Sequence, residues 1–148
     1  MKVLFVCTGN ICRSATAEAV FRKLSIDKQI QVHVESCGTH DYHVGEPPDE
    51  RSQQHARRRG YDLSAQRARQ LVEADFEKFD LILAMDRGHL RLLQRRCPPQ
   101  HAAKVRLFMQ KAEVPDPYYG GPEGFERVLD LVEPACAELL QELHRATS

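Results

Sequence analysis

Lys2-Val3-Leu4-Phe5-Val6-Cys7-Thr8-Gly9-Asn10-Ile11-Cys12-Arg13-Ser14 is the stretch that decides the fold. Its first half is a continuous apolar run rich in β-branched and aromatic residues. That composition predicts a short strand over 2–6, buried on both faces. Its second half is polar and contains a glycine. Beyond Ser14, the residues Ala17, Val20, Phe21 and Leu24 recur at i, i+3, i+4 and i+7, which is one face of a helix. A loop from Cys7 to Ser14 therefore joins a buried strand to a helix N-terminus.

Working outward, Gln31 to Ser36 alternates around Val32 and Val34 and reads as a second strand, with Gly38 to Glu46 as loop. Pro47-Pro48-Asp49-Glu50 is a helix start, with acids at the positive end of the dipole. That helix has a thin apolar face, runs to Arg59 and stops at Gly60. Phe79 to Met85 reads as a third strand. Asp86 starts a helix with Leu90, Leu93 and Cys97 on one face, ended by Pro98-Pro99. Val105 to Phe108 is a fourth strand, and Val114 to Gly121 is a loop rich in Pro, Tyr and Gly. Pro122 opens a last helix that buries Phe125, Val128, Leu129, Val132, Cys136, Leu139, Leu140 and Leu143. Pro134 inside it is expected to kink or split it. Strands alternate with helices throughout. The expected architecture is α/β: a three-layer αβα fold with a four-stranded parallel sheet and right-handed crossovers. Ligands in such sheets bind at the carboxyl ends of the strands, where the loop after the first strand lies.

The bulk properties set limits. The 148 residues fit one domain spanning 1–148 with a single core. Lys plus Arg and Asp plus Glu number 21 each, so no overall field favours a nucleic-acid or membrane partner. The apolar run at 3–6 is too short for a signal peptide, and no stretch approaches a membrane span. The cysteines are Cys7, Cys12, Cys37, Cys97 and Cys136, an odd set in which only the first two are close. They suit a reducing compartment better than a disulfide framework, so a cytoplasmic location is expected. There is no CxxC and no zinc-type spacing. His40 and His43 lack a carboxylate or thiolate at a matching interval, so no metal is expected.

The loop itself suggests chemistry. Gly9 allows a tight turn and Asn10 tolerates left-handed backbone. Such a loop aims several N–H groups at one point, with the helix dipole behind them, and forms an anion cradle. Cys7 stands at its mouth, where those dipoles and Arg13 would favour a thiolate. Arg13 offers a planar fork to two phosphate oxygens. The Ser14 hydroxyl is placed to donate to the Cys7 sulfur. A lone cysteine here would read as a buried strand-end thiol, and a lone Arg13 as a solvated first-turn residue. The full string, Cys7 and Arg13-Ser14 spaced by Thr8, Gly9, Asn10, Ile11 and Cys12, favours a phosphate-binding loop with a nucleophile.

The segment VLFVCTGNICRSATAEAVFRKL resembles the opening of the low-molecular-weight protein-tyrosine-phosphatase family. Asp116-Pro117-Tyr118-Tyr119-Gly120 resembles that family's acid loop. Ser36 to Pro48, the Arg-rich helix after it, Arg69-Gln70, Asp75-Phe76, Phe79-Asp80 and Met85-Asp86 match in order and spacing. The resemblance implies a phosphatase that needs no metal or cofactor. Cys7 would attack phosphorus and form a cysteinyl-phosphate. Arg13 and the loop N–H groups would bind the equatorial oxygens. Asp116, which alone would read as a turn residue, would protonate the leaving phenol and then activate water. Tyr42, Tyr119 and Tyr118 would wall a slot deep enough for phosphotyrosine, so the expected partner is a phosphotyrosine-containing protein. Asn10, Ser14 and Ser36 match a hydrogen-bond network that supports the loop. Gln66 stands where many members carry histidine, and Cys37 where alanine is common. Cys12 is implied as a reversible disulfide partner of Cys7. A monomer is expected.

Two other readings compete with this one. A thiol-linked arsenate reductase on the same fold needs a cysteine pair at about 82–89, and none is there. A non-catalytic phosphate-binding module has no use for a nucleophile and an acid together. Arg51, Arg57, Arg58, Arg59, Arg67 and Arg69 form a basic region read as a solvated helix end, with steering of acidic substrates as the lesser reading.

Overall fold

In the computed structural model every residue is described except Tyr119 and Ser148. The chain runs β1 (Lys2–Cys7), α1 (Arg13–Asp27), β2 (His33–Gly38), α2 (Glu50–Arg58), α3 (Ala74–Lys78), β3 (Leu81–Ala84) and α4 (Arg87–Arg96). A 3-10 turn (Pro99–Lys104), β4 (Val105–Leu107) and α5 (Pro122–Thr147) follow. The four strands are parallel, in the order β2-β1-β3-β4. β1 therefore lies between β2 and β3. The chain leaves β1 toward one side and later returns to its other side, which opens a crevice at the carboxyl end of β1.

Alternation along β1 builds the three layers. Val3, Phe5 and Cys7 face the core shared with α1 and α5, while Leu4 and Val6 face the core shared with α3 and α4. Phe5 meets Phe21 of α1 edge-on at 5.8 Å and Phe108 at 5.1 Å between ring centroids. Truncating so enclosed a ring to alanine costs about 3–5 kcal/mol.

Several expectations change in detail. The first half of α1 is buried on all sides rather than along one face, with Ser14, Thr16 and Glu18 enclosed beside Ala15, Ala17 and Ala19. Small side chains let the sheet and α5 approach closely there. β2 starts at His33 rather than Gln31 and ends at Gly38, and β3 is shorter than 79–85 because Phe79 closes α3. α3 and the 3-10 turn carry no signal in the sequence, since one turn is too short to show a period. α2 buries only Ser52, His55 and Ala56. Ion pairs support it instead: Arg59 reaches Glu126 at 2.6 Å and Asp130 at 2.8 Å on α5. Arg69 pairs with Asp75 at 3.0 Å. The basic region is thus largely engaged internally. Finally, α5 is a single helix of 26 residues through Pro134, neither split nor stopped. Pro134 and Asp130, whose carbonyl loses its partner, both lie on the solvent face, so water can satisfy that carbonyl. Buried residues on either side, from Phe125 to Leu143, hold the helix onto the core.

Candidate active site

Residues 8–12 loop from the end of β1 to the first turn of α1. Asn10 has φ +60°, the left-handed conformation its side chain tolerates. Gly9 is not left-handed. Its lack of a side chain matters for space: a Cβ there would meet His43 Cδ2 at 2.9 Å. Gly38 is tighter still, because a Cβ would lie 2.6 Å from the Thr8 carbonyl oxygen. The end of β2 is therefore pressed against the loop, and Thr39 N–H donates to the Cys7 carbonyl at 2.8 Å.

Asn10 staples the loop from behind. Its Oδ1 accepts the Arg69 N–H at 3.1 Å, which fixes the orientation of the amide. Its Nδ2 then donates to Ser14 Oγ at 2.8 Å and to Ser36 Oγ at 2.9 Å. The Ser36 hydroxyl in turn donates to Glu18 Oε1 at 2.6 Å. With an acceptor site of Ser14 filled by Asn10, the Ser14 hydroxyl has two acceptors in reach, Cys7 Sγ at 3.0 Å and the Cys37 carbonyl at a longer 3.5 Å. The expected network of Asn10, Ser14 and Ser36 is present. Gln66 lies outside it, donating to the Ala15 carbonyl at 3.0 Å. Cys37 is buried in the α3/α4 core, where burial pushes its thiol pKa up.

Arg13 is buried along with the sulfur. Its Nη1 donates to Asp86 Oδ2 at 2.9 Å and to the Val114 carbonyl at 3.0 Å, and its Nη2 lies 3.8 Å from Asp116 Oδ2. The fold thus brings Asp116 to the loop from a hundred residues away in sequence, as only the family resemblance had implied. Asp116 Oδ1 accepts the Tyr118 N–H at 3.0 Å, an Asx turn that aims the other oxygen at the cleft. α1 begins without a side-chain cap, so its first N–H groups remain available to an anion.

Sequence reasoning gave no role to two residues here. Asp86, the cap of α4, holds Arg13 and accepts the His89 N–H at 2.8 Å. Burial raises its pKa, but that N–H, His89 and Arg13 outweigh burial and hold it below the usual carboxylate range. His89 Nε2 lies 2.7 Å from the Thr8 hydroxyl. Its Nδ1 is 3.2 Å from Asp86 Oδ1 but out of line for a hydrogen bond. Burial, aided by the Arg13 cation, pushes His89 down to about 4, so the ring is neutral at physiological pH. The only hint in the sequence was a helix-capping Asp followed by His at i+3.

A cleft of about 190 Å³ opens above these groups, lined by Cys7, Thr8, Gly9, Ile11, Cys12, Arg13, Tyr42, His43, Asp116 and Tyr118. Tyr42 is 67% exposed and stacks on His40 at 5.0 Å. Tyr118 also lines the cleft, its ring 6.1 Å from that of His43. Tyr119 lies outside the described residues. His43, bonded to Glu46 at 2.9 Å, is a wall residue of the cleft, a role that its spacing in the sequence does not signal. Burial pushes the Cys12 thiol up to about 12, despite a hydrogen bond with Ser52, so it is a neutral neighbour of Cys7. Among the described residues no three His, Cys, Asp or Glu gather as a metal site, and no helix is long and apolar enough to cross a membrane.

Fold and site together define a class: an α/β protein with a thiol, a buried guanidinium and a carboxylate converging on a strand–loop–helix anion cradle. Residues 2–148 match the family described as low molecular weight phosphotyrosine protein phosphatase. A putative low molecular weight protein-tyrosine-phosphatase of Synechocystis is 45% identical over 97% of this chain and 96% of its own length. The human low molecular weight phosphotyrosine protein phosphatase is 40% identical over 96% of this chain and 95% of its own. Among solved structures, a protein tyrosine phosphatase from Entamoeba histolytica with Hepes in its active site superposes with a TM-score of 0.95. It is 40% identical and covers 100% of this chain and 99% of its own. Vibrio vulnificus Wzb in complex with benzylphosphonate gives a TM-score of 0.87 at 31% identity, covering 95% and 97%. The chain belongs to the low molecular weight phosphotyrosine protein phosphatase family, a family of cysteine-based phosphatases.

Proposed function

We propose that this protein hydrolyses phosphotyrosine in proteins, and small aryl phosphates, with Cys7 as nucleophile, Arg13 as phosphate ligand and Asp116 as general acid and base. The observation that carries this is the convergence on one cleft of Cys7 Sγ, 3.0 Å from Ser14 Oγ, and of Arg13 Nη2, 3.8 Å from Asp116. The Cys7 thiolate attacks phosphorus as the P–O bond to the phenol breaks. The electron pair goes to the phenolic oxygen, which takes the Asp116 proton. Water then attacks phosphorus, the P–S bond returns its pair to sulfur, and Asp116 recovers a proton from the water. Arg13 and the N–H groups of the loop and helix start hold the equatorial oxygens throughout. Ser14 stabilises the leaving thiolate in the second step.

The walls support an aryl substrate. Cys7 is 3% exposed in a cleft that Tyr42, His43 and Tyr118 also line, and aromatic walls over a buried thiol favour an aryl ester over a short serine phosphate. The benzylphosphonate bound by the Vibrio vulnificus relative has the same length and shape. The unpaired cysteines support a reducing, cytoplasmic setting. The large exposed apolar side chains are Met1, Ile26, Tyr42, Val44 and Val72; Met1 and Ile26 lie at one end of the sheet and Tyr42 and Val44 at the other, which supports a monomer.

The test is hydrolysis of p-nitrophenyl phosphate and of a phosphotyrosine peptide in the presence of a chelator. Cys7→Ser should abolish turnover. Asp116→Ala should lower kcat/KM about 100-fold or more, in line with loss of a general acid. Full activity in Cys7→Ser would overturn the mechanism.

A further inference from the structure

We infer that Arg51 is a positioning residue for Asp116, latching the acid loop to the phosphate loop through the N-terminus of α2. The inference rests on the reading of Asp116 as the general acid. Arg51 occupies the first turn of α2, where the helix dipole disfavours a cation. What holds it there is the α2 cap: Asp49 accepts Arg51 Nη2 at 2.9 Å and Nε at 3.1 Å, a two-point fork. The Asp49 N–H in turn donates to the Ile11 carbonyl of the phosphate loop at 2.8 Å.

From this base Arg51 reaches the acid loop. Nη2 donates to the Tyr118 carbonyl at 3.1 Å. The guanidinium also lies 5.6 Å from the Tyr118 ring centroid and 4.7 Å from that of Phe125 on α5. Tyr118 is the residue whose N–H fixes Asp116 Oδ1. A closed circuit results. It runs from Ile11 through Asp49, Arg51, Tyr118 and Asp116 back to Arg13 in the phosphate loop. The upstream end of the acid loop is fixed separately, where Val114 N–H donates to the Met85 carbonyl at 2.8 Å. Arg51 therefore sets the position of the loop's acidic turn without touching the reacting atoms.

A positioning role has a kinetic signature that general destabilisation lacks. Protonation of the leaving group matters most for a basic phenolate and least for one that departs unaided. The experiment measures kcat/KM for phenyl, p-nitrophenyl and dinitrophenyl phosphates with the wild type, Arg51→Met, Arg51→Lys and Asp116→Ala. Arg51→Met keeps the apolar stem and loses the fork. It should lower kcat/KM about 10-fold for phenyl phosphate and less than about twofold for dinitrophenyl phosphate. Competitive inhibition by inorganic phosphate should be unchanged, and Arg51→Met should add nothing in the Asp116→Ala background. Arg51→Lys, which keeps the cation over both rings, should fall between, and carries the comparison if Arg51→Met is unstable. An equal fall across all three esters, or weakened phosphate inhibition, would overturn the latch. A steep leaving-group series for Asp116→Ala beside unchanged Arg51 variants would sink the role of Arg51 alone. A flat series for Asp116→Ala would sink the acid assignment first, and the latch with it.

Discussion

Arg13 and Asp86 form an ion pair at 2.9 Å in which the guanidinium side chain is 5% exposed and the carboxylate 27%. Asp86 also caps α4, so one side chain both holds Arg13, the proposed phosphate ligand, and starts a helix. Asp86→Ala removes both functions. Without its partner, Arg13 keeps only the Val114 carbonyl and turns toward Asp116. We expect kcat/KM to fall about 10–100-fold, with about 2–4 kcal/mol of stability lost from the cap and the half-buried pair. Asp86→Asn retains the cap and loses the charge. It should recover about 1 kcal/mol in urea denaturation yet keep most of the kinetic defect. Full kinetic recovery in Asp86→Asn would mean the charge on Asp86 is irrelevant to Arg13.

His89 makes folding sensitive to acid. Burial first, and the Arg13 cation second, lower its folded pKa from 6.5 to about 4. Between those values the unfolded chain binds a proton that the folded chain refuses. Stability therefore falls as pH drops from about 6.5 to about 4, by on the order of 3 kcal/mol in total, and this contribution is flat outside that window. Asp86, lowered below 3.8, adds a loss of the same sign at still lower pH. Denaturation of the wild type and His89→Gln at a series of pH values checks this. The difference between the two should shrink steadily from neutral pH to about 4, and a constant difference would refute it.

The two glycines against the phosphate loop should respond differently to alanine. At Gly9 the added Cβ meets side chains alone, clashing with the His43 ring at 2.9 Å and touching Ile11 Cγ1 at an ordinary 3.8 Å. Gly9→Ala should lower kcat/KM about threefold to tenfold, and His43→Ala in the same chain should relieve that clash. At Gly38 the added Cβ meets backbone, the Thr8 carbonyl at 2.6 Å and Gly9 C at 3.2 Å. Gly38→Ala must displace the loop itself. It should lose about 1–3 kcal/mol and most activity, with no side-chain deletion able to restore it. Near-native turnover in Gly38→Ala would show that the loop can shift without cost to the chemistry.

Pro134 offers a stabilising change. Its ring removes the N–H that Asp130 would otherwise accept, on the exposed face of α5. Pro134→Ala restores that bond without touching the core, and should add about 1–3 kcal/mol to stability with unchanged kcat/KM. Thermal and urea denaturation would show it. No gain would mean that the helix is already relaxed around the proline.

Much of this was legible in the sequence because it is local. The run at 3–6 is apolar throughout since β1 is covered on both faces, and the left-handed Asn10 and the stop at Gly60, with φ +88°, follow from backbone sterics. What stayed hidden depends on distance. Nothing near Asp86 or His89 announces that α4 points its first turn at Thr8 and Arg13. Arg59 read as a solvated helix end because its three acidic partners are on α5, some seventy residues on. Asp116 was reached only through a motif resemblance, since loop residues carry no periodicity. Proline's local penalty overstated the effect of Pro134, because tertiary packing on both sides of it outweighs one lost bond.

The staple made by Asn10 also has a thermodynamic consequence. Its amide is engaged on both ends, by Arg69 on one side and by Ser14 and Ser36 on the other. The loop's conformational freedom is therefore surrendered when the chain folds rather than when an anion arrives. An oxyanion meets N–H groups already oriented, and the heat and entropy of its binding report mainly the release of water from the ion and the cleft. Titration of vanadate or phosphate into the protein becomes a direct reading of desolvation, and loosening the staple should appear there as an entropic penalty before it appears as any change in shape.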